Sequence, residues 1–467
     1  MCSAARLRPE LRPSVRLKGA TSHSPVFVAQ SLEPLVDAAI EGERSIALPV
    51  QMRLDLRLLR GTDQPLVIGL SGGGDSVALA LMVDNWSRTA ARPLVFVTVD
   101  HGLQPQSRDW TRQCASLAER LGHRFLARAW VGGKPKTGLP AAARSARHRL
   151  LADAAREVGA SVILLGHTAD DLLESQAMRR DGATTPDARE WAPSPVWPEG
   201  RGLFVLRPML DMRRASLRDW LMARGETWIE DPANENPAYA RARVRQRIDR
   251  NTEIAHGDPP PLTLAAQATH QAGIIALPRI ALREAPIAEA RRFVALACVS
   301  AGGGSRLPAG SRIDRAVQAL RSESYVTASL AGARLEADDD NFHVFREAGE
   351  AARGGLVPVT PVSGRPLIWD GRFEIAASST GIDVRRLAGL AGRLPVAQRA
   401  ALRSLPSAAR GGLPATLDAA GHANCLIFTD EAVNLVPGRF AAAAGLIARE
   451  PKAGSVLPVP DAGLADR

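Results

Sequence analysis

The run PLVIGLSGGGDSVALALM, residues 65–82, constrains this chain more than any other stretch, because it sets a glycine-rich turn directly between a strand and a helix. Pro65 to Leu70 has the pattern of a parallel strand buried on both faces, and Val77 to Met82 continues as an apolar helix face. Between them lies Ser71-Gly72-Gly73-Gly74-Asp75-Ser76. Three glycines permit positive φ and close backbone approach, so successive N–H groups can converge on one anion while the following helix N-terminus adds its partial positive charge. A nucleotide's phosphates suit such a cradle. No Gly-Lys-Ser or Gly-Lys-Thr follows, which excludes the Walker-type loop of kinases and GTPases.

At 467 residues the chain is too long for one ordinary core, and its length predicts two to four domains. Its longest apolar runs, such as VILLG and PLVFVTV, fall far short of the roughly 18 residues a membrane span requires, so a soluble protein with no membrane partner is expected. Lys and Arg outnumber Asp and Glu by 59 to 49, which favours a polyanionic partner, nucleic acid first. Cys2, Cys114, Cys298 and Cys425 lie far apart and form no CxxC, which points away from a disulfide framework or zinc ribbon and towards a reducing, cytoplasmic setting. The arginine-rich start, MCSAARLRPELRPSVRLKG, lacks the apolar segment of a secretory signal. Residues 1–60 are therefore expected to be an N-terminal extension, partly disordered and without assigned function.

After the loop the pattern alternates: PLVFVTV (93–99), an amphipathic helix from Ser107 to Leu121, RFLARAW (124–130), a helix from about Ala141 to Val158, and SVILLG (161–166). Apolar strands joined by crossovers of this length predict an α/β domain over 61–250, a doubly wound, Rossmann-like parallel sheet. Ligands of such sheets sit beyond the carboxyl ends of the strands, which makes SGGGDS, Asp100-His101-Gly102 and Gly166-His167 neighbours in space. Asn251 to Pro261 is polar and proline-rich, a linker composition. Beyond it a mostly helical segment is expected to residue 322 and a smaller β-rich, α+β region over 323–467, with the stretch Arg386 to Ala409 helical. Gly302 to Ser305 follows no strand and is given no phosphate role, and Asp338 to Asp340 reads as a hairpin turn.

Three further segments narrow the chemistry. Arg144 and Arg147 are three apart on a helix and share a face, a pair able to clamp a phosphate. In GHTADDLLESQAMRRDG (166–182), His167, Asp170, Asp171 and Glu174 fall at a strand end and in the opening of a helix, where carboxylates could hold Mg²⁺ or orient an attacking amine. LRPML (206–210) is followed by WIEDPANENPAYARARVR (228–245), and Arg241, Arg243, Arg245, Arg247 and Arg250 make a basic tail suited to RNA phosphates.

The Ser-Gly-Gly-x-Asp-Ser loop resembles that of the PP-loop ATP pyrophosphatases. SGGGDS, VDHGL, AARxxR, GHxxDDxxE, RPML and WIEDPxN, in that order from Leu66 to Arg247, resemble more narrowly the tRNA(Ile)-lysidine synthetase family. The resemblance implies a cytosolic bacterial ligase that adenylates C2 of the wobble cytidine in the CAU anticodon of an isoleucine tRNA, releases pyrophosphate, and lets a lysine amine displace AMP. Carried over by motif, Ser71, Gly72, Gly73, Gly74, Asp75 and Ser76 would bind ATP, with His101 and His167 beside the nucleotide. Asp75 and Asp171 would hold Mg²⁺, Asp171 and Glu174 would serve lysine or metal, and Arg144 and Arg207 the activated intermediate. Arg241, Arg243, Arg245 and Arg247 would bind tRNA, the 251–322 segment would contact it, and 323–467 would dock it. A homodimer stays open. Three positions depart from the family's pattern: His148 where an aromatic follows AARxxR, Arg241-Ala242 where Arg-Asn is usual, and Arg180-Asp181-Gly182-Ala183 in place of RGxG.

The nearest rival is a PP-loop tRNA cytidine thiolase, which shares the ATP chemistry but needs cysteine sulfur or an iron–sulfur cluster; Cys114 alone near the fold argues against it. A small-molecule synthetase of the same superfamily has no use for the basic tail. A non-catalytic RNA-binding protein has none for the loop and acidic triad, and 4% aromatic content disfavours a base-stacking platform.

Overall fold

The computed structural model describes residues 46–183, 188–232, 236, 240–248, 258–350, 356–362, 364–376 and 381–452. The expectations for residues 1–45, for Arg250 and for 251–257 of the linker lie outside them.

The described chain begins with helix α1, residues 46–57. Val50 and Leu54, with Leu58 just beyond, recur every four residues and are fully buried against Trp86 and Leu217. Arg53 and Arg57 flank that stripe and both hold Glu190, at 3.0 and 3.1 Å. The core of the α/β unit thus starts ahead of the expected boundary at 61. The stripe is only three residues long, and interleaved arginines hide it in the sequence.

The strands and helices that follow are β1 (Leu66–Gly69), α2 (Gly74–Ala90), β2 (Leu94–Asp100), α3 (Ser107–Leu121), β3 (Arg124–Ala129), α4 (Leu139–Glu157), β4 (Val162–Leu164), α5 (Ala169–Arg180), β5 (Trp191–Pro193), β6 (Phe204–Leu206), α6 (Arg214–Met222) and α7 (Ala240–Arg245). They build a six-stranded sheet of order β3-β2-β1-β4-β6-β5, parallel except at its β5 edge. Alternate residues of β1 feed two apolar layers. Leu66 and Ile68 face Leu79 and Val83 of α2 and Leu217 of α6, whereas Val67 faces Leu151 and Ala155 of α4. The strand order reverses between β1 and β4, and the glycine loop opens at that crevice. The antiparallel edge was not legible as a strand: Trp-Ala-Pro has no period, and β5 is held by stacking of Trp191 on Phe204 at 4.6 Å.

The expected split between a helical segment ending at 322 and a β-rich region starting at 323 is not how the chain packs. Strands β7 (Thr269–Gln271) and β8 (Ile274–Pro278), helices α8 (Arg279–Glu284), α9 (Ile287–Ala301) and α10 (Gly310–Ser322), and strands β9 (Val326–Leu330), β10 (Ala333–Ala337) and β11 (Asn341–Arg346) form one module. Its antiparallel sheet runs β7-β8-β11-β10-β9, so β8 pairs across the boundary with β11. Phe293 and Val294 of α9 pack on Leu335, Phe342 and Val344 of that sheet. A short apolar run such as IIALP has no period that separates strand from helix; its partners β7 and β11 decide. Asp338 Oδ1 accepts the N–H groups of Asp340 and Asn341 at 3.0 and 2.7 Å, which shapes the β10–β11 turn.

The third module contains β12 (Leu367–Trp369), β13 (Phe373–Ile375), β14 (Arg385–Arg386), α11 (Val396–Leu402), α12 (Ser407–Arg410), β15 (Pro414–Leu417), β16 (Ala423–Cys425) and β17 (Ala432–Asn434) in two three-stranded sheets. The alanine-rich stretch expected as one helix is broken by Pro395 and Pro406, which immediately precede the two short helices. Helix α13 (Val436–Ala444) then returns: Phe440 meets Phe293 at 5.3 Å, while Ala441, Ala442 and Ile447 enter the core of the α/β unit. Behind it Glu450 forms a wholly buried ion pair with Arg92 at 2.9 Å and also accepts from Ser161 Oγ and the Leu59 N–H. Among the described residues no helix is long and apolar enough to cross a membrane.

Candidate active site

Residues 70–76 carry β1 into α2 and form a self-braced loop. Thr98 Oγ1 donates to the Leu70 carbonyl at 2.7 Å, and Ser76 Oγ donates to the Gly73 carbonyl at 2.8 Å while accepting from the Ser71 N–H and hydroxyl. The two serine hydroxyls are spent as struts. Gly72 has φ +82, and a Cβ there would come within 2.2 Å of Ile229 Cδ1. The Ile229 N–H donates to the Gly72 carbonyl at 2.9 Å, and the Trp228 ring lies over Gly74, so the WIEDP segment lines the loop. A Cβ on Gly166 would stand 2.8 Å from the Asp75 carbonyl oxygen, which brings the GHTADD turn against the same loop.

Arg214, absent from the sequence-derived site, joins the carboxylates. Its Nε donates to Asp75 Oδ2 at 2.9 Å, its Nη1 lies 3.2 Å from Glu174 Oε1, and its Nη2 lies 3.6 Å from Asp171 Oδ2. Glu174 is fully buried and also meets Arg241 at 3.1 Å and Arg245 at 2.8 Å. Asp171 Oδ2 accepts the Thr168 N–H and hydroxyl at 2.9 and 3.1 Å, which fixes the start of α5. Burial pushes the Asp75 carboxyl above its ordinary range, against the pull of Arg214 and with the repulsion of Asp171. Burial opposes charge on Arg214 too, but Asp75, Asp171 and Glu174 outweigh it and hold that guanidinium above its usual value.

Beside this acidic knot lies a basic one. Burial, with repulsion from Arg144 next, pulls Arg207 down to about 9 and Arg147 down to about 10. Arg144 itself is lowered by burial and then by Arg241. Mutually repelling guanidiniums in a desolvated site favour a bound anion, whose arrival relieves the strain. Arg207 Nε donates to His167 Nδ1 at 3.2 Å, and burial with that same arginine keeps His167 neutral. His148 is held at about 2 by burial and by Arg147, and its Nε2 has no hydrogen-bond partner among the described residues. His101 lies edge-on to Trp130 at 6.1 Å, its pKa lowered by burial and by Arg147, which places it at the rim of the basic knot.

The basic tail divides by helix face. Arg241 and Arg245, four apart on α7, turn inward to Glu174, whereas Arg243 on its other side and Arg247, two residues past its end, are exposed, with Arg247 paired to Asp181 at 2.8 Å. The four expected RNA contacts therefore fall into two inward and two outward side chains.

Residues 48–252 match the family model described as a PP-loop domain. The chain is 46% identical over 412 residues to the tRNA(Ile)-lysidine synthase of Caulobacter vibrioides, covering 86% of this chain and 98% of that one. The chain belongs to the tRNA(Ile)-lysidine synthase family. The family's enzyme from Rhizobium meliloti is 34% identical over 364 residues, covering 71% of this chain and 77% of its own. A solved structure, the U34-tRNA thiolase NcsA from Methanococcus maripaludis, aligns with a TM-score of 0.37 at 14% identity, over 45% of this chain and 72% of that one.

Two of this lysidine synthase family member's departures have simple geometry. Gly182 takes φ +90 and its N–H donates to the Arg179 carbonyl at 3.0 Å, so the altered loop ends α5 with a left-handed glycine. Ala242, where the resemblance leads one to expect asparagine, is buried on α7. Beyond Arg214, sequence reasoning missed the task of Asp170, whose carboxylate binds the Arg214 N–H at 2.7 Å and Arg213 at 2.9 Å. The signal was the arginine pair four residues after RPM, at 213 and 214.

Proposed function

We propose that this chain, in the cytoplasm, ligates lysine to C2 of the wobble cytidine in the CAU anticodon of an isoleucine tRNA. The observation that carries the reading is the junction of a phosphate cradle with an acidic knot, through Arg214, and of that acidic knot with a basic one, through Asp171. The cytidine O2 attacks the α-phosphorus of ATP and pyrophosphate leaves. The backbone of Ser71 to Ser76 cradles the departing phosphates, and Arg144, Arg147 and Arg207 hold the phosphate that stays on the base. The lysine amine then attacks C2 and AMP leaves with the O2 oxygen. Asp171 and Glu174 orient the lysine, and His101 and His167 border the nucleotide as neutral rings.

Mg²⁺ fits this site as a shared ligand. Asp75 and Asp171 are hard oxygen donors close enough to repel one another, yet among the described residues no three His, Cys, Asp or Glu side chains gather to hold a metal. The ion would therefore take most of its ligands from the phosphates and water. When bound, it neutralises charge on the leaving pyrophosphate.

The test is incubation of the full chain with ATP, radiolabelled lysine and bacterial tRNA. Label is expected in tRNA in an alkali-resistant linkage; alkali-labile label or none would overturn the reading. In the same assay Asp171→Asn and Glu174→Gln are expected to lower lysine incorporation about 100-fold or more, and wild-type lysine KM and kcat in both would remove these residues from the lysine site.

Arg243 and Arg247 face outward and suit tRNA phosphates, the exposed pair with Asp181 being worth about 0–1 kcal/mol and easily exchanged. Reversing both charges is expected to weaken isoleucine and methionine CAU tRNAs alike and to flatten the salt dependence by a log–log slope of about 1.5. Binding measured at two salt concentrations decides this; a selective loss would place base recognition, rather than phosphate contact, on this face.

A further inference from the structure

Arg214 opens α6 and touches both halves of the site. Its Nε donates to Asp75 in the phosphate loop, while Nη1 and Nη2 address Glu174 and Asp171 on α5. Its own placement is fixed from outside the site, because Asp170 binds its N–H at 2.7 Å and the neighbouring Arg213 side chain at 2.9 Å. Its side chain is only 17% exposed. A planar guanidinium can hold two carboxylates in different directions at once, whereas a lysine ammonium on its flexible stem acts as a single point charge.

We infer that Arg214 is a positioning residue that registers the phosphate loop against the lysine-orienting carboxylates, so that the adenylated base formed over the loop lies where the amine arrives. The inference rests on the function proposed above. Asp75 and Glu174 are 99 residues apart in sequence and belong to different helices, α2 and α5, and Arg214 is a side-chain link between them. Chemistry at a near-attack distance of about 3 Å loses on the order of 100-fold for a 1 Å misplacement. Loosening this link is expected to act on the second step more than on the first. An adenylated base that forms but waits for its amine is lost to water, giving AMP and unmodified tRNA.

The experiment compares wild type, Arg214→Met and Arg214→Lys, measuring pyrophosphate release and lysine incorporation in one reaction, with thermal midpoints recorded for each. Wild type is expected to release close to one pyrophosphate per lysine incorporated. Arg214→Met is expected to raise the lysine KM, to lower kcat/KM for lysine about 100-fold, and to release several pyrophosphates per lysine. Arg214→Lys is expected to recover about tenfold of that loss by holding one carboxylate. A lysine KM and stoichiometry unchanged in Arg214→Met, with wild type active, would overturn the inference alone. Equal impairment of both variants with equally lowered midpoints and unchanged stoichiometry would make Arg214 merely structural and would also overturn it. Failure of wild type to incorporate lysine would sink the proposed function, and the inference with it.

Discussion

Asp75→Ala is expected to release pyrophosphate at less than about a thousandth of the wild-type rate while remaining folded. The carboxylate stands on the loop that receives the phosphates, is mostly buried, and shares Arg214 with Asp171 and Glu174. Its structural contribution is small by comparison. The loop is braced by Ser71, Ser76, Thr98 and the Ile229 N–H, none of which bonds the Asp75 side chain. As an acid in the first turn of α2, Asp75 adds only about 0.3–1 kcal/mol through the helix dipole. Circular dichroism and a continuous pyrophosphate assay on the same preparation separate the two effects. Near-normal turnover by a folded variant would remove Asp75 from the reaction.

Glu450→Ala is expected to destabilise the protein by about 3–5 kcal/mol, the cost of leaving one member of a buried ion pair uncompensated. Arg92 and Glu450 are both fully buried, and Arg92 further donates to the carbonyls of Leu59 and Gln64. The pair lies at the amino ends of β2 and β4, opposite the glycine loop, so kcat at low temperature should change little while the thermal midpoint falls. The double variant Arg92→Met with Glu450→Leu should recover part of the loss, because it leaves no uncompensated buried charge, although the Leu59 N–H, Ser161 Oγ and the carbonyls of Leu59 and Gln64 lose these partners. A midpoint unchanged by Glu450→Ala would show that the closing segment is not a stabilising element. The same contacts predict the fate of a protein cut near residue 255. It would strand Arg92 and strip Ala441, Ala442 and Ile447 from the core of the α/β unit, so any loss of tRNA binding must be read beside its stability.

The catalytic half was legible in the sequence because its signals are local. Strands β1, β2 and β3 and helices α3 and α4 fall within a few residues of their expected positions, since apolar runs and helical periods report backbone state directly. The glycine loop and the Asp171, Glu174 spacing likewise need only neighbours in the chain. What depends on distant residues was not legible. IIALP became β8 rather than helix because β7 and β11, the latter more than 60 residues on, offer it ladders on its two edges. The basic tail reads as a uniform charge run, yet α7 turns Arg241 and Arg245 towards a buried Glu174 and leaves Arg243, with Arg247 just past its end, exposed. Arg214 looks like any surface arginine until Asp75, 139 residues away, and Glu174, 40 away, converge on it. Glu450 meets Arg92 across 358 residues. Which backbone groups and side chains can do the chemistry follows from the order of the residues, because conformation and motif are short-range properties of the chain. Tertiary structure alone decided which charges are buried together, because desolvation and Coulomb pairing depend on distance in space, and distance in space is set by the packing of the whole chain.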